Sequence, residues 1–172
     1  MKTDAKRMFL ALFGGPLLAL GCVIPPPQAP SAAPGSAASI HGTGAIVFSG
    51  LGMNFIDPKG AYDASKYSGI SFWAKRGDNS TGKVRLKVPD VNTDPDGAVC
   101  TECFNDFGAD MSFTPEWKQY VFPFKKMKQL AGWGNPLKKQ ITPSKIYGIQ
   151  FQVNVPSANY DIYVDDLKFT CD

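Results

Sequence analysis

Aromatic, amide and basic side chains alternate with apolar residues along three segments of the chain. If these segments are neighbouring strands, their polar positions project from one face, and the set comprises Trp73, Arg85, Lys87, Gln150, Gln152 and Asn154. An indole ring can stack on the apolar face of a pyranose, while amide and guanidinium groups exchange hydrogen bonds with sugar hydroxyls. These residue types therefore predict a sugar-binding face. The alternative is a loop-covered indole beside ordinary solvent-facing amides.

A loop with oxygen-bearing side chains at every second position is a candidate metal site. Asp90, Asn92, Asp94 and Asp96, followed by Gly97, have a spacing typical of calcium loops. The loop is not an EF-hand, because the twelfth position counted from Asn92 is a cysteine where a bidentate glutamate is required. The two remaining interpretations are a looser Ca²⁺ site and a tight turn between strands, since turns use the same residue types.

Further carboxylates have the same two interpretations. A looser calcium site in this loop would add Asp106 or Asp110, and a second acidic cluster lies near the C-terminus at Asp161, Asp165 and Asp166. The sequence thus predicts at most a structural Ca²⁺ ion and does not choose its ligands.

Catalytic arrangements have little support. His41 is the single histidine, and no nucleophile-elbow pattern accompanies it, so a Ser-His-Asp or Cys-His arrangement is not indicated. Paired carboxylates for glycoside hydrolysis would need an apolar surrounding that raises the pKa of one of them, and no acidic pair has one. The sequence predicts a non-catalytic protein.

The N-terminus has the pattern of a bacterial lipoprotein signal. Basic residues precede a short apolar run that ends in small residues before Cys22, so residues 1–21 are predicted to be cleaved and Cys22 to carry lipid. A plain secretory peptide is the alternative. The lipid would hold the protein at the bacterial cell envelope. Val23 offers no inner-membrane retention signal, which favours the outer membrane.

The remaining cysteines are Cys100, Cys103 and Cys171. In an exported protein they can oxidise, and three cysteines allow one disulfide with one thiol left over. A bond between Cys100 and Cys103 is the favoured pairing, and a bond from this loop to Cys171 is the alternative. Zinc is disfavoured, because a fourth ligand is lacking nearby.

Charge excludes one class of partner. Residues 1–21 contain three of the 18 basic side chains and one of the 15 acidic ones, so the remainder has a formal charge of +1. A nucleic-acid-binding surface would need a concentrated basic patch, which this balance does not provide. We therefore expect no nucleic-acid partner.

The segments that must position these residues read as strands. Residues 22–39, rich in Pro, Ala and Ser, predict an extended tether, and residues 40–172 predict one domain. Apolar residues of one parity mark the buried faces of its strands: Ile70, Phe72 and Ala74; Val84, Leu86 and Val88; Tyr120, Phe122 and Phe124; Ile149, Phe151 and Val153. In the last strand Ile162 and Val164 share one parity and Leu167 and Phe169 the other, which predicts a bulge or a register break at Asp165-Asp166. A short helical turn is expected at 125–130. The fold class is an all-β, antiparallel jelly-roll β-sandwich.

Several segments resemble a known family. They are YDASKYSGISFWAK (62–75), VRLKVPD (84–90), TDPDG (93–97), EWKQY (116–120), GWG (132–134), YGIQFQ (147–152) and DIYVDD (161–166). In this order they resemble galactose-binding-like β-sandwich domains of bacterial surface and secreted proteins, above all the family-eleven carbohydrate-binding modules. Complex I intermediate-associated protein domains share the architecture. The shared motifs specify fold better than ligand.

The resemblance implies a jelly roll whose concave sheet holds β-glucan-like chains. It places Trp73, Arg85, Gln150 and Gln152 on that sheet and makes Asp166 a structural-calcium ligand. Relatives usually have an acidic segment and further strands before the stretch equivalent to residues 41–44, where this chain has its tether. The absence of such strands is expected to leave a sheet edge open and to weaken any calcium site.

Together these observations predict non-catalytic binding of a β-glucan-like polysaccharide by a lipoprotein of the envelope. Trp133, between Gly132 and Gly134, is expected to pack on the sandwich edge, with a place at the rim of the site as the alternative. Two other functions stay open. One is a structural or assembly lipoprotein that binds an envelope protein at an open sheet edge near residues 45–48. The other is a degenerate module without a ligand.

Overall fold

The computed structural model describes residues 37–44 and 49–171. The predicted signal peptide, Cys22, residues 45–48 and most of the tether lie outside these ranges. Within them the chain forms eight strands: β1 (Ala38–Gly42), β2 (Ser49–Asn54), β3 (Gly69–Arg76), β4 (Lys83–Val88), β5 (Phe107–Ser112), β6 (Lys118–Pro123), β7 (Gly148–Val153) and β8 (Tyr160–Thr170). Three single-turn 3₁₀ helices occur in the connections, and no helix of the described part is long and apolar enough to span a membrane.

The strands form two four-stranded antiparallel sheets that pack face to face. The sheet with strand order β2-β7-β4-β5 is called the front sheet here, and the sheet with order β1-β8-β3-β6 the back sheet. Every strand pair within them is antiparallel. The predicted all-β, antiparallel β-sandwich is confirmed.

Period-two alternation builds the core between the sheets. The apolar positions predicted on β3, β4 and β7 are all buried, whereas their neighbours along each strand point outward. Phe72 of β3 and Phe151 of β7 meet across the interior with ring centroids 4.8 Å apart and planes at 81°. This edge-to-face contact joins the two sheets at the centre of the sandwich.

The predicted break in the last strand is a β-bulge. On β3 the pairing with β8 moves from Ser71 opposite Lys168 to Trp73 opposite Asp165, so β8 contains one extra residue at this point. Asp166 takes a positive φ of 53° there. The bulge explains why the apolar residues of β8 that pack on the core are Ile162 and Val164 before it and Leu167 and Phe169 after it.

Three strands carry weak signals in the sequence. β1 begins at Ala38, two residues before the predicted domain boundary. β2 contains Gly50 and Gly52, which have low strand propensity, and it is a strand because it pairs along its length with β7. β5 likewise forms against β4. The predicted turn at 125–130 is a 3₁₀ turn over Phe124–Lys126.

Replacing Phe72 by Ala should destabilise the fold by about 3–5 kcal/mol, since the side chain is fully buried and its removal leaves a cavity between the sheets. Urea unfolding measures the effect. Val121→Ala on β6 is the control, because Val121 is 54% exposed, and its free energy of unfolding should change by less than about 0.5 kcal/mol. Equal effects of both substitutions would contradict the described core.

Candidate functional site

The outer face of the front sheet brings five of the six predicted ligand-contacting residues together. Residues opposite each other in antiparallel strands point to the same face. The registers create two rows across β2, β7, β4 and β5: Gly50, Gln152, Arg85 and Asp110 in one, and Gly52, Gln150, Lys87 and Gly108 in the other. Asn154 follows β7 with the same parity as the two glutamines. Apart from Asp110 and Gly108, the members of the two rows form the floor of a cleft of about 670 Å³, lined also by Phe104, Asp106, Leu130 and Trp133.

Trp73 does not belong to this group, and the prediction that it shares a face with the others is wrong. It lies on β3 of the back sheet, opposite Gln119 of β6 and Asp165 of β8. Its neighbours Phe72 and Ala74 are buried, so Trp73 points away from the core, on the far side of the sandwich from the cleft. Parity shows which face of its own strand a residue occupies, but it does not show which sheet contains the strand.

Trp133 supplies an indole in the cleft instead. It is 39% exposed and lines the cleft, which corresponds to the rim position given above as the alternative to edge packing. Phe104, 59% exposed, also lines the cleft. Sequence reasoning missed Phe104, because it lies in an irregular loop without any periodic pattern.

The two glutamine amides are the free hydrogen-bonding groups of the floor. Gln150 and Gln152 are half-buried, and neither side chain has a hydrogen-bond partner among the described residues. On β2 their cross-strand neighbours Gly50 and Gly52 place no side chain beside them. A Cβ at Gly52 would come within 3.2 Å of Gln150 Cγ. The glycines therefore leave the amides accessible to a ligand.

The two cations of the floor are held by the protein itself. Arg85 is only 5% exposed; its guanidinium donates to Asp110 Oδ1 at 3.1 Å and to the carbonyl oxygen of Lys128 at 2.9 Å. Lys87 Nζ lies 3.0 Å from Asp106 Oδ2. Because each positive charge has an anionic partner, the floor is polar without a strong excess of charge.

Asp106 is the most deeply buried ionisable group of the cleft, with 1% of its surface exposed. Neither carboxylate oxygen accepts a geometrically sound hydrogen bond from the described residues, so the contact with Lys87 is ionic. Burial raises the pKa of Asp106 above its ordinary value of 3.8, and the Lys87 ammonium opposes this effect.

In the loop predicted to bind calcium, N–H donors already occupy the carboxylates. Asp90 is fully buried and accepts hydrogen bonds from the backbone N–H and side-chain amide of Asn92 and from the backbone N–H of Thr142, at 2.8–3.0 Å. Asp94 and Asp96 both contact the Lys59 ammonium, at 2.8 and 3.1 Å. This pattern is that of a turn fastened by its own side chains.

Asp166, the remaining predicted ligand, lies in the bulge of the back sheet and pairs with Lys168 at 2.7 Å. Among the described residues, no three His, Cys, Asp or Glu side chains are grouped so as to hold a metal ion. The described loops give calcium binding no support, and it stays a prediction from the sequence.

The disulfide predicted within the loop is present between Cys100 and Cys103. It lies immediately before Phe104, so it closes the loop from which an aromatic ring enters the cleft.

Several solved structures with a similar fold are carbohydrate-binding modules. A family 11 module from a cellulosomal cellulase of Clostridium thermocellum aligns with a TM-score of 0.51 and 15% identity over 84% of this chain and 92% of that module. A family 30 module of a cellulosomal cellulase from the same organism has a TM-score of 0.57 and 12% identity over 79% of this chain and 75% of that module. A third structure is a family 11 module described in complex with a β-1,3-1,4-mixed-linked tetrasaccharide. It aligns with a TM-score of 0.50 and 15% identity over 79% of this chain and 89% of that module.

At these identities the similarity establishes the fold, and the predicted resemblance to this class of β-sandwich is confirmed at that level. No protein-family model matches the sequence, and no curated protein matches it.

The raised pKa of Asp106 predicts the sign of a pH effect on stability. The native carboxyl takes up a proton at a higher pH than the unfolded one, so lowering the pH from about 7 to about 4 should stabilise the wild type relative to Asp106→Asn, which does not titrate. Thermal unfolding of both proteins across this range measures the difference. A wild type that loses stability relative to the variant as the pH falls would contradict the raised pKa.

Proposed function

We propose that the cleft on the front sheet binds a polysaccharide chain without cleaving it. The observation that supports this most directly is the combination of two unpartnered glutamine amides with exposed aromatic rings in one cleft. Amides exchange hydrogen bonds with hydroxyl groups, and aromatic rings pack on the C–H faces of pyranose rings. Gln150 and Gln152 would contact hydroxyls, Asn154 would extend the polar row beyond β7, and Trp133 would stack.

The described lining residues favour binding over hydrolysis. Canonical glycoside hydrolysis uses two carboxyl groups on opposite sides of the scissile bond. Among the described residues that line the cleft, Asp106 alone carries a carboxyl group, and this group is buried beneath the surface against Lys87. A pair able to act as acid and base is therefore lacking in this lining.

A neutral β-glucan is the ligand class we favour. Arg85 and Lys87 are neutralised by Asp110 and Asp106, so the floor offers no unpaired positive charge for an acidic polysaccharide. The similar family 11 structure described with a β-1,3-1,4-mixed-linked tetrasaccharide supports the same class. Display at the cell envelope through lipid on Cys22 and the extended tether predicted for residues 22–39 is a further part of this proposal, and it rests on the sequence alone.

Affinity electrophoresis through gels containing mixed-linkage β-glucan, cellulose derivatives, xylan or no polysaccharide tests the proposal. A β-glucan should retard the wild type. Gln150→Ala and Gln152→Ala should each weaken binding about fivefold, because one hydrogen bond contributes about 1 kcal/mol. Gln119→Ala, on the outer face of the back sheet, is the matched control and should bind like the wild type.

The two tryptophans give a second comparison in the same gels. Trp133→Ala should weaken binding at least tenfold through the lost stacking contact of about 1.4 kcal/mol or more, whereas Trp73→Ala should not. Folded wild-type protein that migrates equally in every gel would contradict polysaccharide binding and favour a structural or assembly role. Loss of binding in Trp73→Ala but not in Trp133→Ala would place the site on the back sheet.

A further inference from the structure

Two loops beside the cleft are fastened to each other by backbone and side-chain hydrogen bonds. The N–H of Asn135 donates to the carbonyl oxygen of Glu102 at 3.0 Å, and the N–H of Thr101 donates to the carbonyl oxygen of Asn135 at 2.9 Å. The Glu102 carboxylate also accepts the N–H of Gly134 at 2.9 Å. The loop that contains Phe104 and the loop that contains Trp133 therefore form one unit, which we call the aromatic clamp (residues 100–106 and 129–136).

Asn105 joins the two halves of the aromatic clamp from below. Its side chain is 2% exposed; it donates to the carbonyl oxygens of Leu130 and Trp133 at 2.8 and 2.6 Å and accepts the N–H of Leu130 at 2.8 Å. Gly134, with φ of 88°, packs so closely that an added Cβ would lie 2.7 Å from Asn105 Cβ. These contacts fix the backbone on both sides of Trp133.

Phe104 combines an unfavourable backbone conformation with an exposed side chain, and neither feature stabilises the folded protein. Its φ is 71°, in the left-handed region that a bulky residue rarely adopts. Its ring is 59% exposed and lines the cleft. Two constraints keep the backbone in place: the Phe104 N–H donates to the carbonyl oxygen of Thr93 at 2.9 Å, and the Cys100–Cys103 disulfide ends one residue before it.

An exposed aromatic ring with a strained backbone conformation, one residue after a disulfide-closed turn, suggests a ligand-facing role. We propose that Phe104 is a second stacking surface of the cleft beside Trp133, and that the Cys100–Cys103 disulfide is the positioning element that holds Phe104 ready for the sugar. This inference rests on the proposed function and identifies a contact residue and a covalent constraint within the same site.

Preorganisation explains why a disulfide at this place would affect binding. A loop that is already closed loses less conformational freedom when the ligand docks, so more of the stacking energy appears as affinity. Reduction by a dithiol reverses this: the S–S bond breaks, two electrons and two protons produce two cysteine thiols, and the reductant becomes a cyclic disulfide. The reduced loop keeps the ring of Phe104 but not its fixed position.

A double-mutant cycle separates contact from position. The affinity for mixed-linkage β-glucan is measured for the wild type, for Phe104→Ala, for Cys100→Ser/Cys103→Ser and for the combined variant. We expect about tenfold weaker binding for Phe104→Ala and about fivefold weaker binding for the serine pair. The combined variant should be no weaker than Phe104→Ala, because a disulfide that acts through Phe104 has nothing left to position.

Two further measurements distinguish these roles from a general loss of structure. Phe104→Tyr keeps an aromatic face and should bind within about twofold of the wild type, with an unchanged melting temperature. Dithiothreitol should lower the affinity of the wild type for mixed-linkage β-glucan to that of the Cys100→Ser/Cys103→Ser variant. It should leave the affinity of Phe104→Ala unchanged. If the serine pair does not fold, the Ala and Tyr variants at position 104, which retain the disulfide, still decide whether Phe104 contacts the ligand.

The outcomes that overturn the inference differ from those that overturn the proposed function. Phe104→Ala that binds like the wild type, while Gln150→Ala binds more weakly, removes Phe104 from the site and leaves polysaccharide binding intact. Additive losses in the combined variant show that the disulfide does not act through Phe104. A folded wild type that binds no polysaccharide overturns both.

Discussion

The register of β7 against β4 determines what the front sheet presents to solvent. Arg85 lies opposite Gln152, and Lys87 opposite Gln150, while Leu86 and Phe151 meet on the inner face. A shift of one residue would turn Phe151 outward and bury the glutamines without partners, so the core holds the register in place. The contact of Phe151 with Phe72 extends this constraint to the back sheet. Packing in the interior thus positions the polar groups of the cleft.

The floor and wall of the cleft differ in how they are fixed. The floor is set by strand pairing, and its cations are satisfied within the protein by Asp110 and Asp106. The wall is the aromatic clamp, whose loops lie outside the strands. The Cys100–Cys103 disulfide and the hydrogen bonds of Asn105 and Glu102 hold these loops in position instead. Both parts therefore reach their positions before any ligand is present, which is the condition for binding at a low entropic cost.

Local pattern predicted a large part of this structure. Alternation along β3, β4 and β7 identified the buried residues, and the parity change located the bulge at Asp166, because both depend on the two-residue period of a strand. The disulfide was predicted because two cysteines three residues apart can close a small loop. Five of the polar residues assigned to one face do share it, since β4 and β7 are neighbours.

Features that depend on tertiary arrangement were not accessible from the sequence. Trp73 has the predicted outward orientation but lies in the other sheet, because strand order is set by packing across the whole sandwich. The glycine-containing strand β2 is defined by its partner and not by its own propensity. Phe104 and Trp133 reach the cleft through loop contacts that no periodic pattern encodes.

The central claim is that the ligand binds on the front sheet, and the three tryptophans of the chain allow a direct test. In a titration of the ¹⁵N-labelled protein with a mixed-linkage β-glucan oligosaccharide, the indole signal of Trp133 and the side-chain amide signals of Gln150 and Gln152 should shift together. The indole signals of Trp73 and of Trp117, which lies against Lys75 of the back sheet, should not change. Shifts confined to Trp73 and Trp117, or no shifts at saturating oligosaccharide, would contradict the account.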